Sequence, residues 1–391
     1  MESADRTHAG TPCLICGESA LRAVPGFAAL PRISSDCRSF AAGGELAVCG
    51  NCAMVQKIPD ARWLAEIAAI YSGYAAYSLA GGEEQLVLDP RTGTPRKRSE
   101  VLMSALQEGG GLSGIARALD VGCGHGVTLM AMANAFPGWE LFGHELDASK
   151  EEALRRITGF RQLHTGDFST IEQTFDFISM IHSLEHFVEP LQTLRLLRGI
   201  TNPGGRLFVE VCNVDENPFD LLVADHLSHF SPASLAFAAS RAGYLVSRVE
   251  TAWVKKEVSL LAIRAADETH ASTAPPPDGR EAHARITASV DWLESLISTA
   301  RATANRSGSF GIFGTSIAGT WLAAALGDAV AFFVDEDPHR IGREYMGKPV
   351  LAPQAVASGS TVFLALAPTL AQAIGRRLSQ YPLELVVPDG I

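Results

Sequence analysis

The sequence lacks any uninterrupted apolar run of about 18 residues, the length that a membrane-spanning helix needs. Its opening stretch, MESADRTHAG, lacks the apolar core of a secretory signal. An excess of basic charge is missing as well, because the formal net charge is -11. An acidic chain gains no overall attraction to a phosphate backbone. We therefore expect a cytoplasmic protein that binds neither a membrane nor nucleic acid.

What the chain does contain is enough apolar sequence for two or three folded domains. It has 391 residues, of which 47% are hydrophobic and 19% charged. Strand-like apolar runs alternate with helical patterns, which predicts α/β folds with parallel sheets. We expect a cysteine-containing module over residues 1–75, a doubly wound central domain over 76–265, a Pro-rich linker over 266–282 and a smaller Rossmann-like domain over 283–391.

The N-terminal part contains two C-x-x-C pairs, which are typical of zinc knuckles. The pairs are Cys13 with Cys16 and Cys49 with Cys52. Two such pairs can place four thiolates tetrahedrally around one zinc ion, and a closed site of this kind is structural. A redox pair is less favoured because neither motif opens a helix in a βαβ unit. Two unrelated turns remain the alternative.

A glycine-rich turn, DVGCGHG, follows the short apolar run ALDV and precedes an apolar helix. Such a turn lets the backbone approach a ligand at the helix N-terminus. Glu145 ends the next predicted strand, where a carboxylate can accept from ribose hydroxyls. We further expect an adenine amino group to meet Asp167. The candidate ligand-binding residues of this part are Asp120, Gly122, Gly124, Gly126, Glu145 and Asp167. The alternative is an NAD-type Rossmann domain, although the spacing is not G-x-G-x-x-G.

Residues 115–265 resemble the class I S-adenosylmethionine-dependent methyltransferases. The resemblance lies in DVGCGHG, the acid Glu145, the pair Gly166-Asp167, and the segments FDFISMIHSLEH and NPGGRLFVEV, in this order. It implies that S-adenosylmethionine is the cofactor. His182-Ser-Leu-Glu185-His186 also matches the H-x-x-E-H pattern of zinc proteases. That pattern needs a long helix, so we interpret the match as coincidence.

The segment FDLLVADHLSHFS is similar to the F-D-x-I-Y-x-E-H-L-S-Y-F-S pattern of sugar C-methyltransferases that act on nucleotide-linked 4-ketosugars. These enzymes also have an N-terminal four-cysteine zinc module and a C-terminal nucleotide-fold-like domain. Counterparts to CLICG, CGNCAMVQ, IYSGYAAYS and GIFGTSIAG extend the resemblance over nearly the whole chain. It implies methylation of a carbon beside a ketone, which needs a base and a donor to the enolate oxygen.

The resemblance implies His226 as the base, with Asp225 in place of the family's Glu and His186 as an assisting histidine. Tyr77, or alternatively Tyr74, would supply a phenol. The alternative for His226 is an ordinary buried histidine. The chain departs from the family in two places: the two tyrosines of the pattern are Val223 and His229 here, and a family Trp-Asn segment reads Ala367-Pro368. These changes leave open an O- or N-methyltransferase of small molecules, or a non-catalytic S-adenosylmethionine-binding protein.

The C-terminal part repeats a strand, glycine turn and helix in GIFGTSIAG, and then ends a strand at Asp335. We expect this part to hold the acceptor, a small molecule such as a nucleotide-linked sugar. Its diphosphate would be neutralised by His339, Arg340 and Arg343. The alternative is that these residues form a solvated basic loop.

Overall fold

The computed structural model describes residues 10–74, 84, 86–92, 94–109, 112, 114, 116–265 and 275–391. Its larger sheets are built by consecutive parts of the chain. We call these parts the N-terminal segment (10–74), the central segment (84–265) and the C-terminal segment (275–391). Within these described ranges, no helix combines the length and the apolar character that crossing a membrane requires.

The N-terminal segment consists of short antiparallel strands and a helix. Its elements are β1 (Leu21–Ala23), β2 (Arg32–Ile33), β3 (Ser39–Phe40), β4 (Leu46–Cys49), β5 (Val55–Lys57) and α1 (Ala61–Tyr71). Its main sheet has the strand order β1-β4-β5. A strand of the central segment, β13 (Ser228–His229), extends this sheet, with Ser228 paired to Gln56. The first two segments are therefore joined by backbone hydrogen bonds.

The central segment forms a seven-stranded sheet in the order β10-β9-β8-β11-β12-β15-β14. Strands β8 to β12 pair in parallel, and β14 and β15 are antiparallel additions. The elements are β6 (Leu86–Leu88), β7 (Pro95–Lys97), α2 (Arg98–Gly109), β8 (Arg117–Val121), α3 (Val127–Ala135), β9 (Glu140–Glu145), α4 (Glu151–Leu154), β10 (Phe160–Thr165), β11 (Phe175–Ile181), α5 (Pro190–Ile200), β12 (Thr201–Cys212), β13 (Ser228–His229), α6 (Pro232–Arg241), β14 (Tyr244–Glu250) and β15 (Glu257–Arg264). The α/β class with a parallel-rich sheet is confirmed.

The C-terminal segment is a second, smaller α/β unit. Its sheet has the order β18-β19-β17-β16-β20-β21, with parallel pairing everywhere except between β18 and β19. The elements are α7 (Gly279–Ala304), β16 (Phe310–Phe313), α8 (Ile317–Leu326), β17 (Phe332–Val334), β18 (Glu344–Tyr345), β19 (Lys348–Leu351), β20 (Thr361–Phe363), α9 (Pro368–Leu378) and β21 (Glu384–Val386).

Helix α7 connects this unit to the N-terminal segment. It begins at Gly279, inside the stretch 266–282 predicted as a linker, because the Asp278 side chain caps it by accepting from Arg280 N at 2.8 Å. A Cβ at Gly279 would lie 2.3 Å from the carbonyl oxygen of Cys49, so only glycine allows this approach. The linker prediction therefore extends too far toward the C-terminus, and its residues 266–274 lie outside the described part.

A shared hydrophobic core joins the three segments. One buried cluster includes Ile33 of the N-terminal segment, Phe219 of the central segment, and Leu293 and Trp321 of the C-terminal segment. The Trp321 indole also donates to the carbonyl oxygen of Pro31 at 2.9 Å. The side chains of Ile286, Val290, Leu293 and Leu296 recur at helical spacing and form a buried stripe along α7. This common core fixes the walls of the space between the segments.

Candidate active site

A cavity of about 770 Å³ lies where the segments meet. The carboxyl ends of β8, β9 and β11 open into it, the usual position of ligand sites in parallel sheets. The N-terminal segment contributes Ser35 and Trp63 to the wall, and the C-terminal segment contributes Thr315 and Arg340. A ligand of sufficient length would therefore contact all of the segments at once.

The glycine-rich turn after β8 forms one end of this cavity. Gly122, Gly124 and Gly126 have φ angles of 74°, 53° and 79°, in the region that favours glycine. A Cβ at Gly126 would lie 2.5 Å from Ile157 Cδ1, whereas a Cβ at Gly124 would meet nothing within 4 Å. The turn therefore packs tightly on its protein side and leaves space on its cavity side, next to the N-terminus of α3.

Glu145 ends β9 beside the turn and lines the cavity. Its Oε1 accepts from the backbone N–H of Gly124 at 2.6 Å, and its Oε2 accepts from that of Leu146 at 3.1 Å. Leu146 also lines the cavity and is 73% exposed. The turn is thus bordered by a carboxylate and by an apolar side chain that can cover a flat ring.

The two other predicted acids do not line the cavity. Asp120 is buried under the turn, where its Oδ1 accepts from Ser179 Oγ at 2.6 Å and burial raises its pKa to about 7. Asp167 accepts from the backbone N–H of Ser169 at 2.7 Å and lies on the surface. Asp120 therefore supports the turn from behind, and Asp167 caps the short helix that follows it.

On another part of the cavity wall, one carboxylate joins two histidines. Asp220 Oδ1 lies 2.7 Å from His226 Nδ1, and Asp220 Oδ2 lies 2.7 Å from His229 Nδ1. All three side chains are buried, and His226 and Asp220 line the cavity. Since Asp220 engages Nδ1 of His226, Nε2 is the ring nitrogen left for a ligand.

The two histidines differ in their protonation. Burial lowers the pKa of each, and the Asp220 carboxylate opposes this effect. For His226 the neighbouring carboxylates outweigh burial, so that its pKa is raised above the usual value. For His229 burial prevails and lowers its pKa to about 4. His226 is therefore the more basic of the two imidazoles, and His229 stays neutral at pH 7.

His186 faces His226 edge-on, with ring centroids 4.7 Å apart and an interplanar angle of 87°. Its Nδ1 lies 3.0 Å from the Tyr71 hydroxyl and 3.1 Å from the carbonyl oxygen of Asp225. Burial, with a contribution from the charge of His226, lowers the pKa of His186 to about 4. His186 is thus a neutral side chain held in place beside His226.

Asp225 connects this wall to the N-terminal segment. It accepts from the Ser35 backbone N–H at 2.8 Å and from the Ser35 hydroxyl at 2.5 Å. Its Oδ2 lies 3.5 Å from His186 Nδ1. The structure therefore places Asp225 next to His186, while Asp220 is the carboxylate bonded to His226.

The C-terminal segment reaches the cavity through the turn between β16 and α8. Thr315 donates from its backbone and its hydroxyl to Asp335 Oδ2 at 3.2 and 2.7 Å. Arg340 donates from Nη1 to Thr315 Oγ1 at 3.0 Å and lines the cavity. His339 and Arg343 are exposed and lie outside the cavity wall. Of the three predicted basic residues, the structure brings only Arg340 to the cavity.

The four predicted zinc-ligating cysteines come together away from this cavity. Cys13 Sγ lies 3.5 Å from Cys52 Sγ, and Cys16 Sγ lies 3.6 Å from Cys49 Sγ. All four sulfurs lie within 4.8 Å of one another, and none of the cysteines is in a disulfide. Zinc–sulfur bonds of about 2.3 Å in a tetrahedron would separate the sulfurs by about 3.8 Å. The donor set and its spacing thus fit zinc.

Comparisons with known proteins agree with the geometry of the glycine-rich turn. Residues 92–248 match the family model described as "Methyltransferase domain". This stretch of the central segment is therefore similar to a methyltransferase domain. The matched stretch contains the turn, Glu145 and the His226 wall.

Proteins similar to the central segment include ubiquinone biosynthesis O-methyltransferases. That of Aeromonas salmonicida is 26% identical over 157 residues, which cover 35% of this chain and 66% of the relative. That of Bordetella avium is 31% identical over 153 residues, which cover 32% of this chain and 61% of the relative. The chain thus spans about half to two thirds of the length of such relatives.

Solved structures similar to the chain include methyltransferases of several kinds. The mitomycin 7-O-methyltransferase MmcR is 26% identical, with a TM-score of 0.38, and the match covers 43% of this chain and 53% of MmcR. CalS10, an amino pentose methyltransferase from Micromonospora echinaspora, is 20% identical, with a TM-score of 0.34, and the match covers 45% of this chain and 94% of CalS10.

Several residues of the cavity wall around His226 are not predicted from the sequence. Asp220 is the aspartate of the F-D pair that opens the segment FDLLVADHLSHFS, and this motif position was the one sequence signal for it. Tyr71 takes the position beside His186, whereas the predicted Tyr77 lies outside the described residues. Lys57 is fully buried and donates to the carbonyl oxygens of Val223 and, at 2.7 Å, His226. A lysine in a short strand carries no sequence signal for such a role.

Proposed function

We propose that this chain transfers a methyl group from S-adenosylmethionine to the carbon beside the ketone of a nucleotide-linked sugar. The observation that carries the proposal is one continuous cavity. It is lined by the glycine-rich turn, by His226 and by the Thr315 turn of the C-terminal segment. Donor, base and acceptor anchor would then share a single space.

The donor would bind at the glycine-rich turn, where it would supply an electrophilic methyl group. The open space at Gly124 leaves room for a ligand against the backbone. Glu145 presents a carboxylate for ribose hydroxyls, and Leu146 presents an apolar side chain for the adenine ring. Asp120 would act indirectly, by holding the turn.

His226 would remove the proton from the carbon to be methylated. Its Nε2 accepts that proton while Nδ1–H remains bonded to Asp220, so the imidazolium that forms is stabilised by a carboxylate 2.7 Å away. The Tyr71 hydroxyl, on the same wall, would donate a hydrogen bond to the acceptor oxygen as negative charge develops there, and His186 would hold that hydroxyl in place. Val223 offers no hydroxyl for this role.

The acceptor's diphosphate would lie at the C-terminal segment. Arg340 supplies positive charge, and the turn before α8 supplies backbone amides. Contacts to this non-reacting part would position the reacting carbon. In this division the four cysteines hold a structural zinc, which stabilises the N-terminal segment that carries Ser35 and Tyr71.

A second candidate is O-methyl transfer to a small molecule. The names of the relatives favour it, since the curated ones are O-methyltransferases. His226 would then deprotonate a hydroxyl. A chain that binds S-adenosylmethionine without turnover is the third reading.

Incubation with ¹³C-methyl S-adenosylmethionine and a panel of nucleotide-linked 4-ketosugars and phenols separates the three. Under the proposal, NMR of the product shows the ¹³C bonded to carbon. A ¹³C bonded to oxygen would support the second candidate. No labelled product, together with calorimetric binding of the donor, would support the third.

A further inference from the structure

A second group of metal-binding side chains lies on the cavity wall, apart from the four cysteines. His182 follows β11, Cys212 ends β12 and Glu257 begins β15, three adjacent strands of the central sheet. Cys212 is directly paired with Glu257 in the antiparallel ladder. One ligand atom from each of these residues lies within 4.8 Å of the others, and all three residues line the cavity.

Two of these atoms are buried without a hydrogen-bond partner. They are His182 Nε2 and Glu257 Oε2, which lie 3.5 Å apart. Glu257 is only 2% exposed. Buried polar atoms in folded proteins are almost always satisfied, so this pair indicates a ligand between them.

The histidine is also held as metal-binding histidines usually are. His182 Nδ1 lies 3.3 Å from Glu185 Oε1, on the side away from Glu257. A carboxylate on one ring nitrogen fixes the tautomer and leaves the lone pair of the other nitrogen free for a metal. The orientation of His182 therefore directs Nε2 toward Glu257.

We propose that His182, Cys212 and Glu257 bind one divalent transition-metal ion of the zinc class. Histidine nitrogen, cysteine sulfur and glutamate oxygen are each donors that such ions bind, and three protein ligands leave a fourth position open to the cavity. The carboxylate and the thiolate together balance the charge of the ion. Binding releases the thiol proton to solvent, and no electron is transferred.

The surrounding charges tolerate a cation. Arg98 Nη2 lies 4.0 Å from Glu257 Oε1. The other carboxylate oxygen, Oε2, is therefore left for the ion. Lys256 is the second nearby cation. Glu185, Glu210 and Glu257 place three carboxyl groups in the same region, and a bound cation favours the ionised form of such groups.

A catalytic role for this ion rests on the proposed function, whereas the binding of the ion does not depend on it. The open position would lie on the cavity that His226 also lines. An acceptor carbonyl oxygen bound there would be polarised, which lowers the cost of enolate formation. This contribution would replace the hydroxyl that Val223 lacks.

Cobalt(II) titration of the purified full chain tests the proposal. The wild type is expected to take up one equivalent more cobalt than Cys212→Ser, with a sulfur-to-cobalt charge-transfer band that the variant lacks. His182→Ala and Glu257→Gln should each lose the same equivalent, and Glu185→Gln should weaken it about tenfold or more. Cys37→Ser, which lies outside both cysteine-containing groups, is the matched control and should bind like the wild type.

Equal cobalt uptake by wild type and Cys212→Ser would overturn the proposal, as would an extra equivalent that His182→Ala and Glu257→Gln leave unchanged. Circular dichroism checks that each variant is folded. If His182→Ala does not fold, the conservative variant Glu257→Gln still tests the site. Because the readout is metal uptake, its failure is distinguishable from a failure of methyl transfer.

Discussion

Replacement of Asp220 by asparagine tests the wall of the cavity that the sequence did not predict. The substitution keeps the size of the side chain and removes its charge. In the wild type, both carboxylate oxygens lie 2.7 Å from a histidine nitrogen. Asparagine can bond both rings only if one of them changes its tautomer, because its nitrogen donates and cannot accept.

The structure sets the size of the expected effect. Hydrogen bonds to charged groups contribute about 1.5–3 kcal/mol and neutral ones about 0.5–1.5 kcal/mol. Two weakened bonds should therefore lower the free energy of unfolding by about 2–3 kcal/mol. Base catalysis is typically worth about 10²- to 10⁴-fold. We expect kcat of Asp220→Asn to fall by about 10²- to 10³-fold, with little change in donor affinity.

The pH profile gives a second readout that a purely structural role would not move. The reactive form has neutral His226, so the rate should rise as the pH rises through the raised pKa of that histidine. Without the Asp220 carboxylate the pKa of His226 falls, and the midpoint of the rise should move to lower pH.

The assay is the initial rate of methyl transfer from labelled S-adenosylmethionine across the neutral pH range, with chemical denaturation for stability. Asp215→Asn is a matched control, since Asp215 lies outside the cavity wall and pairs with Arg285 at 3.2 Å. Wild-type kcat together with an unshifted midpoint in Asp220→Asn would refute the role of the carboxylate.

Three further predictions concern the other parts of the site. Glu145→Ala should weaken S-adenosylmethionine binding about 10- to 100-fold by calorimetry, the loss of about 1.5–3 kcal/mol, and unchanged affinity would remove Glu145 from the donor site. Cys49→Ser should lose about one equivalent of bound zinc and unfold at a lower temperature. If the purified wild-type protein contains no zinc and its four thiols titrate freely, the zinc prediction is wrong. Arg340→Ala should raise the acceptor KM about tenfold and leave the donor KM unchanged, whereas Arg343→Ala, outside the cavity wall, should alter neither; an effect on the donor KM alone would contradict the division between the segments.

The sequence was sufficient for features that depend on local spacing. The glycine turn and Glu145 form one end of the cavity because strand, turn and helix follow one another directly in the chain. The four cysteines could be grouped because each C-x-x-C pair is itself a local motif. The α7 stripe followed from helical periodicity.

Contacts between distant parts of the chain could not be derived in this way. Tyr71 meets His186, and Ser35 meets Asp225, only because the N-terminal segment adds its sheet to β13. Whether a carboxylate contacts His226 from position 220 or from position 225 depends on the backbone path between them, which the motif does not specify. The start of α7 was misplaced because a Pro-rich stretch signals a linker but does not show where a cap such as Asp278 ends it.

The most direct test of the central claim is hydrogen exchange at the acceptor carbon. The protein is incubated in D₂O with a nucleotide-linked 4-ketosugar and S-adenosylhomocysteine in place of the donor, and deuterium beside the ketone is followed by NMR. We expect exchange with the wild type and its loss in His226→Asn, although that variant still binds S-adenosylmethionine. An exchange rate unaffected by His226→Asn, or methyl transfer to oxygen with no exchange by the wild type, would contradict it.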